Sequence, residues 1–205
     1  DQPYIGWLRK GQMDGAAGER LAAWLTPYRR VWLLLQATDE GDRASTTEAW
    51  LNAHAFAGRR WWQGGQRAVE YLLPAAAAED QAETQTVEAT GPFDFGAAVL
   101  DSYRLTEDVL GGVRLLLRWE SVGDAEVRYS VQAIGPSGVL AQVDGRPGAA
   151  NSAGLAEDRI GLSLPAEADQ LILKLYHAGD GSVFPVTAPG KPAAGSVSGI
   201  HQRMT

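Results

Sequence analysis

The chain has 205 residues, enough for one large or two small domains, and its 45% hydrophobic content excludes a disordered protein. Its net charge of −7 argues against nucleic-acid binding, because a phosphate-binding surface needs clustered Lys and Arg. It has no cysteine, which excludes disulfides, thiolate zinc sites and a cysteine nucleophile. Residues 1–74 carry 9 basic and 8 acidic side chains, whereas residues 75–205 carry 9 and 17, so the composition changes near residue 75.

No part of the sequence predicts a membrane-spanning segment. The longest uninterrupted apolar run, Val31–Leu35, is far shorter than the roughly 20 residues that a spanning helix needs. Because the chain begins with Asp1 rather than Met, we expect it to be a fragment or a processed product. The absence of a membrane-spanning segment from this chain therefore does not show whether the parent protein has one.

The amino-terminal part of the chain predicts alternating helices and strands. Apolar residues at helical spacing predict a helix over 16–28, which Pro27 should end. The apolar run 30–37 has no clear alternation, which favours a strand buried on both faces. Ser45 with Glu48 three residues later is a capping-box pattern that predicts a second helix. Residues 67–73 predict another strand, so the pattern is that of a small α/β lobe.

The segment from Gly112 to Pro147 has the most regular pattern in the chain. Apolar and polar residues alternate in three stretches, separated by turns at Gly123-Asp124 and at 135–138. A period of two puts the apolar residues on one face, so we predict a three-stranded antiparallel meander with one face on a core. The residues expected in the core are Leu117, Trp119, Tyr129 and Val131, and those expected at the surface are Arg118 and Arg128.

Further strands predict that this meander belongs to a β-sandwich. The additional strands are expected at 95–105, 159–164, 170–177 and 183–187. The predicted fold class is α+β, with a small α/β lobe followed by an antiparallel β-sandwich. The predicted boundaries are a lobe at 1–74, an exposed linker at 75–92, a sandwich at 93–187 and a flexible tail at 188–205.

No histidine in the sequence has the spacing of a metal ligand. His54 lies on the helix face of Trp50 and Leu51, which favours a packed or half-exposed ring over a ligand. The acidic turns at 39–42 and Asp180 offer oxygens to calcium but do not match an EF-hand, so a solvated turn is favoured. We therefore predict no metal and no cofactor.

The sequence also predicts no catalytic constellation. The adjacent acids Glu107-Asp108 and Glu157-Asp158 suggest a glycosidase, but such an enzyme needs two carboxylates that face each other across a substrate. Neighbouring residues on a strand point in different directions. Phosphate-binding glycine loops and the GxSxG motif are absent from the sequence.

The aromatic pair Trp61-Trp62 is the best candidate for a binding surface. It follows Arg59 and Arg60, and exposed rings can pack on the apolar faces of sugars while arginine donates hydrogen bonds. Two adjacent residues of an extended segment point in opposite directions, so we expect Trp62 to pack inward and Trp61 to face solvent. The alternative is that large rings fill the core of the small lobe or the seam between the lobes.

Several sequence strings resemble a known family, the extracytoplasmic portion of bacterial polytopic membrane glycosyltransferases. These enzymes are similar to dolichyl-phosphate-mannose–protein mannosyltransferases, and the likeness is to long-tailed members of Chloroflexi type. The strings in the first lobe are Arg30–Leu35, Trp50-Leu51, Trp61-Trp62 and the Gly-Gly-x-Arg-x-x-x-Tyr-Leu-Leu-Pro segment at 64–74. Those in the second lobe are Phe95-Gly96, Leu100, Tyr103-x-Leu105, Leu115-x-Leu117-x-Trp119 and Gln142-x-Asp144-Gly145-x-Pro147.

The resemblance implies a non-catalytic domain outside the membrane. In that family the transmembrane bundle binds the lipid-phosphate sugar donor, and the catalytic acid lies in an early loop that no stretch of this chain matches. The implied partners are the protein's own transmembrane bundle and a glycan, which the domain helps to position as acceptor. The alternative hypothesis is a free-standing carbohydrate-binding or adhesion module. A self-sufficient hydrolase is the least favoured hypothesis.

Overall fold

The computed structural model describes residues 15–36, 46–74, 83–108, 112–123, 126–148, 155–186 and 200–203. The chain divides into two compact units, Asp1–Ala78 and Glu79–Thr205. Each unit is built around a hydrophobic core of its own. The fold class is α+β, as predicted, and strands outnumber helices.

The first unit is a three-stranded antiparallel sheet with two helices. The strand order is β1-β3-β2, so the last strand in sequence lies in the middle. Buried residues from both helices pack against Val69 and Tyr71, with Val31 and Leu33 at the edge of the cluster. The helices therefore cover one face of the sheet. The elements are α1 (Gly15–Leu25), β1 (Arg30–Gln36), α2 (Thr46–His54), β2 (Phe56–Gln63) and β3 (Gln66–Leu72).

Four of these five elements were predicted from the sequence. Both helices lie where the apolar spacing and the capping box predict them, and α1 ends just before Thr26 and Pro27. The strand β2 was not predicted. A register shift between Ala57 and Arg60 interrupts its pairing with β3, and this irregularity removes the period of two from the sequence.

The prediction that β1 is buried on both faces is wrong. Val31, Leu33 and Leu35 are half-buried towards the helices. On the opposite face Trp32 is 40% exposed and Leu34 is 72% exposed. An apolar run indicates two covered faces only if both faces have a neighbouring layer, and no described residue of this unit covers Leu34. Among the described strands β1 pairs only with β3, so it is an edge strand.

The second unit is a β-sandwich of two antiparallel sheets. One sheet has the order β9-β6-β5-β4 and the other has the order β11-β10-β7-β8. The strands are β4 (Glu83–Asp94), β5 (Ala98–Asp108), β6 (Gly112–Val122), β7 (Val127–Gly135), β8 (Gly138–Gly145), β9 (Ala156–Ser163), β10 (Gln170–His177) and β11 (Ile200–Arg203).

The predicted core of this unit is confirmed. Leu117, Trp119 and Val131 are fully buried and Tyr129 is buried. The surface prediction was too simple, because Arg118 and Arg128 are half-buried rather than exposed. The side chain of Arg118 lies along the sheet and donates to the Glu157 carboxylate on β9 at 3.0 Å.

The predicted three-stranded meander is wrong in its connectivity. The strands β7 and β8 pair as a hairpin, but β6 belongs to the other sheet. The chain crosses between the two sheets after Val122, and the rings of Trp119 and Tyr129 then stack across the core with centroids 6.4 Å apart. Two amphipathic strands can satisfy the same alternation by facing each other, so the pattern alone does not decide between pairing and packing.

The predicted linker and tail are each corrected in part. Residues 83–92 are not a linker, because they form most of β4, which carries Val87 and Ala89 towards the core side. Residues 200–203 are not a loose tail, because they pair with β10 as β11. The strand predicted at 183–187 is reduced to a single bridge between Val183 and Tyr176, and residues 75–82 and 187–199 lie outside the described part.

Candidate functional site

The predicted aromatic site lies on the hairpin that β2 and β3 form. Trp61 pairs with Ala68 and Trp62 pairs with Arg67 across the two strands. Gly64 in the connecting turn has a φ of 57°, a left-handed conformation that glycine adopts without steric cost. We refer to residues 59–67 as the aromatic hairpin.

Trp61 contributes its ring to the open face of the sheet. This is the face opposite to the helices, and it also carries Trp32 and Leu34 of β1. The rings of Trp61 and Trp32 lie 4.6 Å apart between centroids and are tilted by 50°. Trp61 remains 42% exposed, so the two rings form a joined aromatic surface with free area.

Trp62 is the most exposed tryptophan that the structure describes, at 66%. The prediction that it packs inward is therefore wrong, and so is the part of the alternative that places both rings in the core of the small lobe. Trp62 points to the helix side, as the alternation requires, but the helices do not cover the sheet this close to the turn. The guanidinium of Arg67 lies 5.3 Å from the Trp62 ring centroid, and this cation–π contact helps to fix the ring.

The two predicted arginines lie beside these rings. Arg59 is half-buried at the register shift of β2, and Arg60 is exposed on the same face as Trp62, two residues away. The charge of Arg60 also affects the pKa of Tyr71 on the neighbouring strand β3. Burial raises the pKa of Tyr71 to about 12 and the Glu48 carboxylate adds to this, while the charges of Arg60 and Arg67 oppose the shift.

Two ion pairs surround the hairpin. Arg67 pairs with Glu48 of α2 on the helix side. Arg30 of β1 lies 3.2 Å from Glu70, whose carboxylate is almost completely buried. Neither pair was predicted, although the strand positions of Arg67 and Glu70 could have been read from the predicted β3.

Tyr71 is a structural residue rather than a reactive one. Its hydroxyl donates to the Asn52 side chain on α2 at 2.9 Å, which ties the sheet to the helix. Because its raised pKa keeps the phenol neutral, Tyr71 does not supply a base in this region.

The histidines of the described segments are engaged in local contacts. His54 Nδ1 lies 2.8 Å from the Trp50 carbonyl, and its ring stacks on Trp50 at 4.3 Å. His177 accepts a hydrogen bond from the Gly179 amide and lies 3.6 Å from the Asp180 carboxylate. No group of three potential metal ligands occurs among the described residues. The acidic turn at 39–42 and the side chain of His201 lie outside them.

The adjacent acids Glu157 and Asp158 point to opposite faces of β9. Glu157 pairs with Arg118 and Arg159 on the outer face. Asp158 turns inward, where it accepts hydrogen bonds from the Trp119 indole at 2.7 Å and the Gly148 amide at 3.1 Å. Burial raises the pKa of Asp158, and both hydrogen bonds oppose this shift. The two carboxylates therefore do not face each other across a substrate.

The second unit has a small polar depression on the outer face of the sheet that contains β4, β5 and β6. Its volume is about 110 Å³, and ion-paired Glu88 and Arg104 lie at its rim. This volume is well below the roughly 300 Å³ at which pockets for small ligands begin. The aromatic hairpin is therefore the better candidate site.

Comparison with known proteins identifies no relative of this chain. No family model, curated protein sequence or solved structure matches it. Within the described segments, neither helix has the length and apolar character needed to cross a membrane.

Proposed function

We propose that this chain is a non-catalytic domain that binds glycan through the aromatic hairpin. The observation that supports glycan binding is the exposure of Trp61 and Trp62 beside Arg59 and Arg60. Adjacent aromatic side chains that remain exposed to solvent in a folded unit are typical of an interaction surface. In this arrangement the apolar face of a sugar ring packs on tryptophan, and a guanidinium donates hydrogen bonds to its hydroxyl groups.

We further propose that the domain belongs to a membrane glycosyltransferase that uses a lipid-phosphate sugar donor. The sequence strings given above support this assignment. In such a protein the domain lies on the extracytoplasmic face of the membrane and positions the acceptor glycan for the transmembrane bundle. Reading the complete open reading frame tests this part, because about ten or more upstream hydrophobic segments of spanning length would support it. Their absence would favour the free-standing carbohydrate-binding or adhesion module.

Glycan binding is tested by calorimetric titration of the chain with neutral and acidic tetrasaccharides. We expect binding in the millimolar range or tighter, and a loss of about tenfold or more in Trp62→Ala. The matched control is Trp24→Ala, which removes a partly exposed tryptophan from α1 instead of from the hairpin. Equal losses in both variants, or no binding of any saccharide at millimolar concentration, would contradict the proposal.

A further inference from the structure

Charge is distributed differently in the two units. The first unit, residues 1–78, carries 9 basic and 8 acidic side chains, whereas residues 79–205 carry 9 and 17. The whole chain has a net charge of −7. The first unit is therefore close to neutral and the acidic excess of the chain lies in the second unit, so a positive surface on the first unit depends on how its arginines are placed.

The carboxylates near the aromatic hairpin are already neutralised. Glu48 pairs with Arg67, and the buried Glu70 pairs with Arg30. Among the described residues, Arg59 and Arg60 form no ion pair. The positive charge of the hairpin is thus concentrated on these two side chains, next to the exposed rings.

The spacing on β2 puts one of these charges on the same side of the strand as the most exposed ring. Arg60 and Trp62 are two residues apart and lie on the same side of the strand. Positions i and i+2 of a strand are about 7 Å apart. A sugar ring packed on Trp62 would therefore place a substituent of its edge within reach of the Arg60 guanidinium.

We infer that the aromatic hairpin selects an anionic saccharide, whose ring packs on Trp62 and whose carboxylate or phosphate binds Arg60. This inference rests on the proposed glycan binding and adds the chemical class of the ligand. Guanidinium is well suited to this role, because its planar donors match the oxygens of a carboxylate or a phosphate in pairs.

The test compares tetragalacturonate with neutral maltotetraose by calorimetry at low and at moderate salt. We expect the acidic sugar to bind about tenfold more tightly, and Arg60→Gln to remove most of that difference. Added salt should weaken only the acidic sugar. A sugar phosphate in place of the uronate then distinguishes the two anionic groups. The matched control is Arg20→Gln, which removes the same charge from an exposed position on α1.

The outcomes separate the two proposals. Equal binding of both sugars, unchanged in Arg60→Gln, would overturn the anionic preference and leave glycan binding intact. No binding of either sugar would overturn both proposals. Binding to phosphatidylglycerol vesicles but not to either soluble sugar would identify a membrane-surface contact and would also overturn the inference. Circular dichroism of each variant confirms that a loss of binding is not a loss of folding.

Discussion

Trp119 and Trp62 are the same residue type in β-strands of the same chain, but they have opposite environments. Trp119 is fully buried, its indole donates to Asp158, and its ring stacks on Tyr129. Trp62 is mostly exposed and contacts the guanidinium of Arg67. Trp119 belongs to a sandwich in which two sheets cover each other, whereas Trp62 belongs to a sheet with helices on one face only.

The contrast indicates that the neighbours of a tryptophan on its side of a strand predict its role better than the residue type does. Trp119 ends an unbroken alternation of Val113, Leu115 and Leu117, so its side of the strand is apolar throughout. Trp62 shares its side with Arg60, a residue that a core does not accommodate.

The largest effect is expected for Trp119→Ala. Removing a fully buried ring leaves a cavity and also leaves the Asp158 carboxylate without its indole donor. We expect the free energy of unfolding to fall by about 3–5 kcal/mol. Urea denaturation followed by circular dichroism measures it. Trp119→Phe keeps most of the apolar volume and should cost less, and a loss of under about 1 kcal/mol in Trp119→Ala would show that the site is not a filled core position.

A second test of the same site compares the pH dependence of stability in the wild type and in Asp158→Asn. Burial raises the pKa of Asp158 above the ordinary 3.8, so the folded state binds the proton more readily than the unfolded state. The stability that Asp158 contributes is therefore greatest at low pH, and it falls as the pH rises from about 3.8 through the raised pKa.

Asparagine does not titrate, so the variant lacks this dependence. We expect the difference in unfolding free energy, variant minus wild type, to increase in favour of Asp158→Asn over that pH window and then to stay constant. Urea denaturation of both proteins between pH 3.5 and pH 7 measures this difference. A change in the opposite direction would mean that the hydrogen bonds from Trp119 and Gly148 outweigh burial.

The smallest effect on stability is expected for Trp62→Ala. The ring fills no core, so the loss should be limited to its contact with Arg67, about 0.5–1 kcal/mol. The same denaturation experiment measures it alongside Trp119→Ala. If Trp62→Ala destabilises the chain as much as Trp119→Ala does, the contrast between a structural and a surface tryptophan fails.

Much of the second unit could be predicted from the sequence, because a period of two determines which side of a strand is buried. This reasoning placed Leu117, Trp119, Tyr129 and Val131 correctly. It could not assign β6 and β7 to different sheets, because alternation is the same whether two strands pair or face each other.

Less of the candidate site could be predicted. The arginines and tryptophans were found, and alternation separated Trp61 from Trp62 correctly. How much of each ring is exposed depends on where the helices end over the sheet, and this is a property of tertiary packing. The aromatic partner Trp32 was missed because the apolar run of β1 was read as a strand with two covered faces.

The position of β1 at the edge of its sheet has a consequence for handling the protein. The Leu73 amide donates to the Arg29 carbonyl, so in an antiparallel pair the backbone groups of Trp32 and Leu34 point away from β3. Natural edge strands are protected by charges, prolines or bulges, and β1 has only Arg30. At high concentration, intermolecular strand addition and aggregation should therefore begin at β1, and lysine at position 34 is the substitution that opposes them with least disturbance of the core.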